Sequence, residues 1–166
     1  KVQTVDSQFE TFRIEAYDVA HISGTNMVGV MVVVADSEAR KSDYRMFKIR
    51  GQKDADDTKA LKEILERRLK HTEWPYPDLI VVDGGLAQLN AANQIIDTQK
   101  INIPIVAVTK NEKHRPLKIQ ALNTESQKIA KKYEKEILLA NSEAHRFALK
   151  FHRKLRDSLT KAKISG

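Results

Sequence analysis

The sequence predicts a mixed α/β sheet covered by helices. Two patterns and their order predict it. Strand-like runs joined by short polar connections come first, and unbroken apolar runs alternating with helical periodicity follow. Helical signals then close the chain.

Residues 12–20 alternate, with Ile14, Ala16 and Asp18 on one face. Residues 28–35 form an apolar, β-branched run, and 43–49 give a third strand after a charged turn. Connections this short predict an antiparallel meander. Residues 54–71 read as a helix whose apolar stripe is Ala60, Leu61, Ile64, Leu65 and Leu69. A break at Pro75 and Pro77 precedes Leu79-Ile80-Val81-Val82-Asp83, a run suited to a fully buried parallel strand. A helix over 87–97 and a second buried strand over 103–109 are expected next. Residues 111–124 are expected as a loop with a short hairpin, followed by helices over 126–138 and 142–156.

The 166 residues suit one domain with its core over residues 12–156, and contain no internal repeat. No apolar run approaches the roughly 20 residues of a membrane span, and no signal-peptide pattern is present, so a cytoplasmic location is expected. The first residue is Lys1 rather than Met, so the chain is expected to be a piece of a longer protein. Cysteine is absent, which excludes disulfides and thiolate zinc sites.

The net charge of +7 is unevenly placed. Residues 126–163 hold eleven Lys and Arg against four Asp and Glu, and the remainder is neutral. Basic charge gathered in one segment is the footprint of a polyanion binder, although a solvated helical face has the same composition.

Three residues could carry chemistry. Asp18 shares a face with Ile14 and Ala16, where a carboxylate is costly unless paired, hydrogen-bonded or bound to a metal. Asp83 ends a buried strand ahead of Gly84 and Gly85, the end at which open α/β sheets bind ligands. Each also has an ordinary reading as a turn residue. His145 is expected in the first turn of the last helix, three residues after a cap at Ser142. It borders the apolar face of Ala144, Phe147, Ala148, Phe151 and Leu155, while Arg146, Lys150 and Arg153 form a basic face. A structural histidine is the bland alternative. His145 and His152, without a third nearby ligand, make a poor zinc site. The Asp83 segment also looks like the acidic strand of a nucleotide hydrolase, but no G-x-x-x-x-G-K-[ST] loop exists.

Together the three would suit a metal-dependent nuclease. Carboxylates from neighbouring strands hold Mg²⁺ or Mn²⁺, which lowers the pKa of a water and steadies charge on phosphate. A histidine can ligate the metal or carry a proton.

Five segments, taken in order, resemble the C-terminal nuclease domain of UvrC, the incising subunit of the bacterial UvrABC excinuclease. They are Ile14-Glu15-Ala16-Tyr17-Asp18-Val19-Ala20-His21, Ser42-Asp43-Tyr44-Arg45-Met46-Phe47 and Pro77-Asp78-Leu79-Ile80-Val81-Val82-Asp83-Gly84-Gly85 with Gln88-Leu89. Lys113-His114-Arg115-Pro116 and Glu143-Ala144-His145-Arg146-Phe147-Ala148 with Phe151-His152-Arg153 complete the set. The resemblance implies a ribonuclease H-like fold and an Asp–Asp–His cluster, here Asp18, Asp83 and His145, that cuts damaged double-stranded DNA on the 5′ side of the lesion. It implies a further acid before the first helix, at Asp57 in preference to Asp56. It also implies phosphate contacts near Lys113, Arg115, Arg146, Lys150 and Arg153.

This chain has Leu86-Ala87 where the family usually has Lys and Gly, which takes away one candidate phosphate contact. It has Thr109-Lys110-Asn111-Glu112 where the family is basic and glycine-rich. The 3′-incising domain, the segment contacting UvrB and the helix-hairpin-helix pair find no match, so weak DNA binding by a monomeric domain is expected. Two other functions stay open at this point. One is a ribonuclease H-like nuclease acting on hybrids or junctions; the other is a non-catalytic nucleic-acid-binding module.

Overall fold

A computed structural model of the chain describes residues 11–23, 26–50, 56–110 and 117–165. The elements run β1 (Arg13–Ser23), β2 (Asn26–Ala35), β3 (Glu38–Ala39), β4 (Arg45–Lys48), α1 (Asp57–Leu69), β5 (Leu79–Asp83), α2 (Leu86–Thr98), β6 (Ile105–Thr109), β7 (Lys118–Ala121), α3 (Thr124–Lys132) and α4 (Glu134–Ser165). One mixed sheet has the order β3-β2-β1-β5-β6-β7, with β4 also paired to β2.

The meander expected from the first three runs is present: β1 pairs antiparallel with β2, and β2 with β4. A single 3₁₀ turn at Lys41–Asp43 and the two-residue β3 occupy the charged connection. The unbroken apolar runs become β5 and β6, parallel to β1 and to each other. Their Leu79–Val82 and Ile105–Val108 are buried because helices cover both faces. Residues 118–121, expected within a loop and hairpin, pair antiparallel with β6 and form the edge strand β7. The Leu117, Ile119 and Ala121 alternation carries that pattern.

Alternation along β1 divides the core in two. Ile14 and Ala16 face α4 with Val32, Val34, Leu79, Val81, Val106 and Val108. Tyr17 faces α1 and α2 among Ile64, Leu65, Ile80, Val82 and Leu89. On that second face Glu15 is fully buried and receives Arg68 of α1 in two parallel bonds, Nε to Oε1 at 2.7 Å and Nη2 to Oε2 at 2.8 Å. The Tyr17 hydroxyl donates to Glu15 Oε1, and Arg13 Nε donates to Glu15 Oε2. A charge pair with no water around it is tolerated only when its polar atoms are matched this fully.

The C-terminal helices depart from expectation. The break falls at Tyr133, between α3 and α4, and Ser142 lies inside a 32-residue α4. Tyr133 leaves helical geometry and stacks on Phe12 with ring centroids 3.8 Å apart. Ser142 has cap chemistry, but neither Gly nor Pro interrupts the chain there, and packing of the neighbouring Ala140 and Ala144 on the sheet carries the helix through. His145 is therefore an interior helix residue, not a first-turn one.

Gly29 on β2 shows how closely α1 seats on the sheet. A Cβ built there would overlap Cγ1 and Cδ1 of Ile64, which is fully buried. Gly29→Ala should therefore cost about 1–3 kcal/mol in urea melts. An unchanged midpoint would show that Ile64 has room to move.

Candidate active site

Asp18 and Asp83 meet because β1 and β5 are parallel neighbours. Ala16 pairs with Val81 and Tyr17 with Val82, so the next positions along the register are Asp18 and Asp83. Both follow the α4-facing alternation, Ile14-Ala16-Asp18 and Leu79-Val81-Asp83; Asp83 is the last residue of β5, and Asp18 lies midway along the longer β1. Asp18 is held by its own neighbour, the Val19 N–H donating to Oδ1 at 2.7 Å. Gly84 makes the turn out of β5 with φ +129°, a region that L side chains avoid. Gly85 N donates to Gln88 Oε1 at 3.0 Å, which closes the start of α2.

The third member arrives from α4. Ala140, Ala144 and Ala148 are buried against the sheet, and side chains this small let the helix axis come close. His145 Nδ1 lies 3.3 Å from Asp18 Oδ2, with its ring 47% exposed and the Asp18 side chain 11% exposed. The three residues singled out in the sequence are thus brought together from two strands and a helix.

Burial, and then the charge of Asp83, pushes the Asp18 carboxyl up to about 6; the Val19 N–H and His145 pull the other way. Burial raises Asp83 as well, against the opposing charges of His145 and Lys110 and hydrogen bonds from Asn141 and Asp18. Two neighbouring carboxyls both shifted upward mark negative charge that the surrounding protein does not fully offset.

The two candidates for a fourth acid separate cleanly. Asp56 is the N-cap of α1, accepting from Thr58 N at 3.0 Å, Lys59 N at 3.3 Å and the Thr58 hydroxyl at 2.7 Å. The Thr58 hydrogen bond leads in holding its carboxyl below the usual value. Asp57 lines a cleft of about 30 Å³ together with Asp18, Asp83, Tyr17, Leu61 and Gln88. Its Oδ1 lies 2.5 Å from His21 Nε2 at the end of β1.

Among the described residues no three His, Asp or Glu side chains already enclose a single ion. The donor set nevertheless fits a hard divalent cation. Asp18 and Asp83 supply oxygens and under-compensated charge, and Mg²⁺ is commonly held by one or two carboxylates while keeping several waters.

Of the basic residues expected near phosphate, Lys113 and Arg115 lie outside the described residues. Arg146 is engaged by Glu143 at 2.7 Å, and the Tyr44 hydroxyl donates to the same carboxylate at 2.9 Å. Lys150 and Arg153 are exposed on α4 with no ion pair among the described residues. Two neighbours of Asp83 escaped the sequence reading. Lys110 follows β6, whose Val108 pairs with Asp83. Asn141 stands four residues before His145 on α4, the one polar residue in an apolar stripe, and that interruption was its available signal.

The UvrC RNase H endonuclease domain model matches residues 3–158, nearly the whole chain. The chain belongs to this family. It is 40% identical over 170 residues to UvrABC system protein C of Clostridium botulinum (strain 657 / Type Ba4), covering 90% of this chain and 27% of the relative. Identity to UvrABC system protein C of Lachnospira eligens is 39% over 168 residues, covering 93% of this chain and 27% of the relative. The chain thus spans about a quarter of the length of the curated relatives it matches. Among solved structures, human ENDOV superposes with TM-score 0.59 at 14% identity, covering 87% of this chain and 85% of that one. At that identity the likeness is one of fold. The ribonuclease H-like fold implied by the sequence motifs is the fold observed. No helix among the described residues is long and apolar enough to cross a membrane.

The raised Asp18 pKa has a measurable consequence. Its folded value of about 6 lies above the roughly 3.9 of an unfolded aspartate. The folded state therefore holds this proton more tightly. The resulting stabilisation is complete below pH ~4 and is lost as pH rises through ~6. Asp18→Asn should accordingly melt later than the parent in EDTA at pH 8, by about 2–3 kcal/mol, with the gap closing toward pH 4. Equal stability at pH 8 would show that the Asp18 charge is fully compensated without metal.

Proposed function

We propose that this chain is a metal-dependent DNA endonuclease domain of an excision-repair subunit, and that it makes the 5′ incision in the damaged strand. One observation carries the proposal: Asp18, Asp83 and His145, distant in sequence, converge beside the C-terminal end of β5 in a chain of the UvrC endonuclease family. Bacterial UvrC relatives supply the setting, in which the partners are damaged double-stranded DNA and UvrB, engaged through other parts of the subunit. The reading carries a cytoplasmic location and a monomeric domain with it.

In this reading Asp18 and Asp83 hold Mg²⁺ or Mn²⁺, with Asp57 at the rim of the same cleft as an additional acid. The cation, when bound, supplies charge for the phosphate and acidity for the attacking water. The chain's own residues do the rest. Asp18 orients the His145 ring through Nδ1, which leaves Nε2 to meet substrate, so His145 moves a proton rather than ligating. Lys110, beside Asp83, and Lys150 and Arg153 on α4 hold strand phosphates. Arg146, held by Glu143, which in turn accepts from the Tyr44 hydroxyl, stiffens the basic face and presents its remaining donors beside it.

Replacing Asp18 or Asp83 with Ala in the full-length subunit should abolish 5′ incision of damaged duplex and leave 3′ incision and folding intact. His145→Ala should slow the 5′ cut by about 10²–10⁴-fold. Normal 5′ incision by either Asp variant would sink the assignment. Comparing damaged duplex, RNA–DNA hybrid and branched substrates tests the substrate class, and cleavage confined to hybrids or branches would overturn it.

Removing Lys150 and Arg153 should reduce the dependence of log affinity on log salt by about 0.9 per residue. An unchanged slope would mean that DNA does not cross α4.

A further inference from the structure

Asn141 is 4% exposed and occupies the stripe of α4 that lies on the sheet, among Ile137, Ala140 and Ala144. It precedes His145 by about one helical turn, so the two side chains share one side of the helix. A carboxamide carries two donor hydrogens and one acceptor oxygen, and burial requires that they be used. On its donor side the carboxamide lies next to Asp83 and favours that group's charged form. Among the described residues its Oδ1 is the one buried side-chain N or O atom without a hydrogen-bond partner.

The surroundings say what that oxygen can accept. Its neighbour Asp83, and Asp18 beside it, are carboxylates, which when ionised offer no proton. His145 already directs Nδ1 to Asp18. Among the described residues nothing donates to Oδ1, so the site has room for a ligand that brings a donated hydrogen to two carboxylates. A water in the shell of a divalent cation meets both demands, because hydrated Mg²⁺ and Mn²⁺ keep waters whose hydrogens point outward.

We propose that Asn141 is a positioning residue of the cation site: Nδ2 orients Asp83, and Oδ1 accepts a hydrogen bond from a water of the hydrated divalent cation. This rests on the reading of Asp18 and Asp83 as the cation's ligands. Outer-shell partners of this kind keep their ligands aligned, and losing one weakens metal affinity by about 10–100-fold.

Calorimetric titration of the metal-free domain with Mn²⁺ tests it without any activity measurement. Asn141→Leu keeps the volume and removes both functions; Asn141→Asp keeps the acceptor and removes the donor. Circular dichroism and melting in EDTA check folding for each. The expected result is Mn²⁺ binding weakened by about 10–100-fold in Asn141→Leu and by clearly less in Asn141→Asp. Should Asn141→Leu fail to fold, Asn141→Ala removes the same oxygen with less bulk, and the same weakening is expected. A folded Leu or Ala variant that binds Mn²⁺ like the parent overturns the proposal. So does an Asp variant as weak as the Leu variant, since the donor to Asp83 would then be the only part that matters. Asp83→Asn serves as the control for the site itself. If the parent binds no Mn²⁺, or Asp83→Asn binds it unchanged, the reading of the cluster fails first and this inference falls with it.

Discussion

The parallel pairing of β1 with β5 sets two carboxylates side by side where β5 ends, and the rest of the molecule is arranged around that contact. The placement is unfavourable by itself, because burial and mutual repulsion both resist ionisation. It persists because the strands carrying the acids are over-determined elsewhere. On one face Ile14 and Ala16 lie in an apolar layer with Val32, Val81 and Val106. On the other, Glu15 is gripped by Arg68 in a buried bidentate pair that also meets Tyr17 and Arg13. A one-residue slip of β1 would exchange these faces, burying Asp18 against α1 and pointing Glu15 at α4. Breaking the Glu15–Arg68 pair by removing one partner would leave a lone buried charge, at a cost of about 3–5 kcal/mol. The unfavourable charge of the two aspartates is thus anchored by a matched buried pair at Glu15, three residues before Asp18 on the same strand.

The second constraint is how α4 lies on the sheet. Alanines at 140, 144 and 148 let the helix approach closely enough for His145 to touch Asp18 and for Asn141 to reach Asp83. The helix is tied at its flank by Tyr44, which bonds Glu143 and meets Phe147 edge-on with ring centroids 5.2 Å apart. The same element carries Arg146, Lys150 and Arg153 away from the sheet. One helix therefore serves the core, the acidic centre and the basic surface, and it carries much of the excess positive charge of the C-terminal segment. Cations placed there can meet a polyanion without neutralising the carboxylates that a metal would need.

The site was legible in the sequence to different depths. Asp18 and Asp83 announced themselves by interrupting or ending an apolar pattern, a local signal that survives without knowing the fold. Asp57 and Asp56 could not be told apart from sequence, since either can begin a helix. The cap bonds to Thr58 and Lys59 occupy Asp56, whereas Asp57 lines the cleft shared by Asp18 and Asp83. Asn141 was hidden inside a stretch read as a helix boundary. The boundary itself was misplaced because Ser142 has cap chemistry, whereas the actual break at Tyr133 depends on stacking against Phe12.

What the sequence determined alone was the class of structure and most of its elements. Periodicity is a short-range property, and it set the meander, the buried parallel strands and the helices between them, along with the absence of disulfides and the basic end. Tertiary structure decided which residues meet. Asp18 and Asp83 are adjacent only through the β1–β5 register, His145 meets Asp18 only through the close seating of α4, and the Asn141 oxygen is left without a partner among the described residues. Such contacts join residues more than fifty positions apart, a separation over which no local pattern carries information.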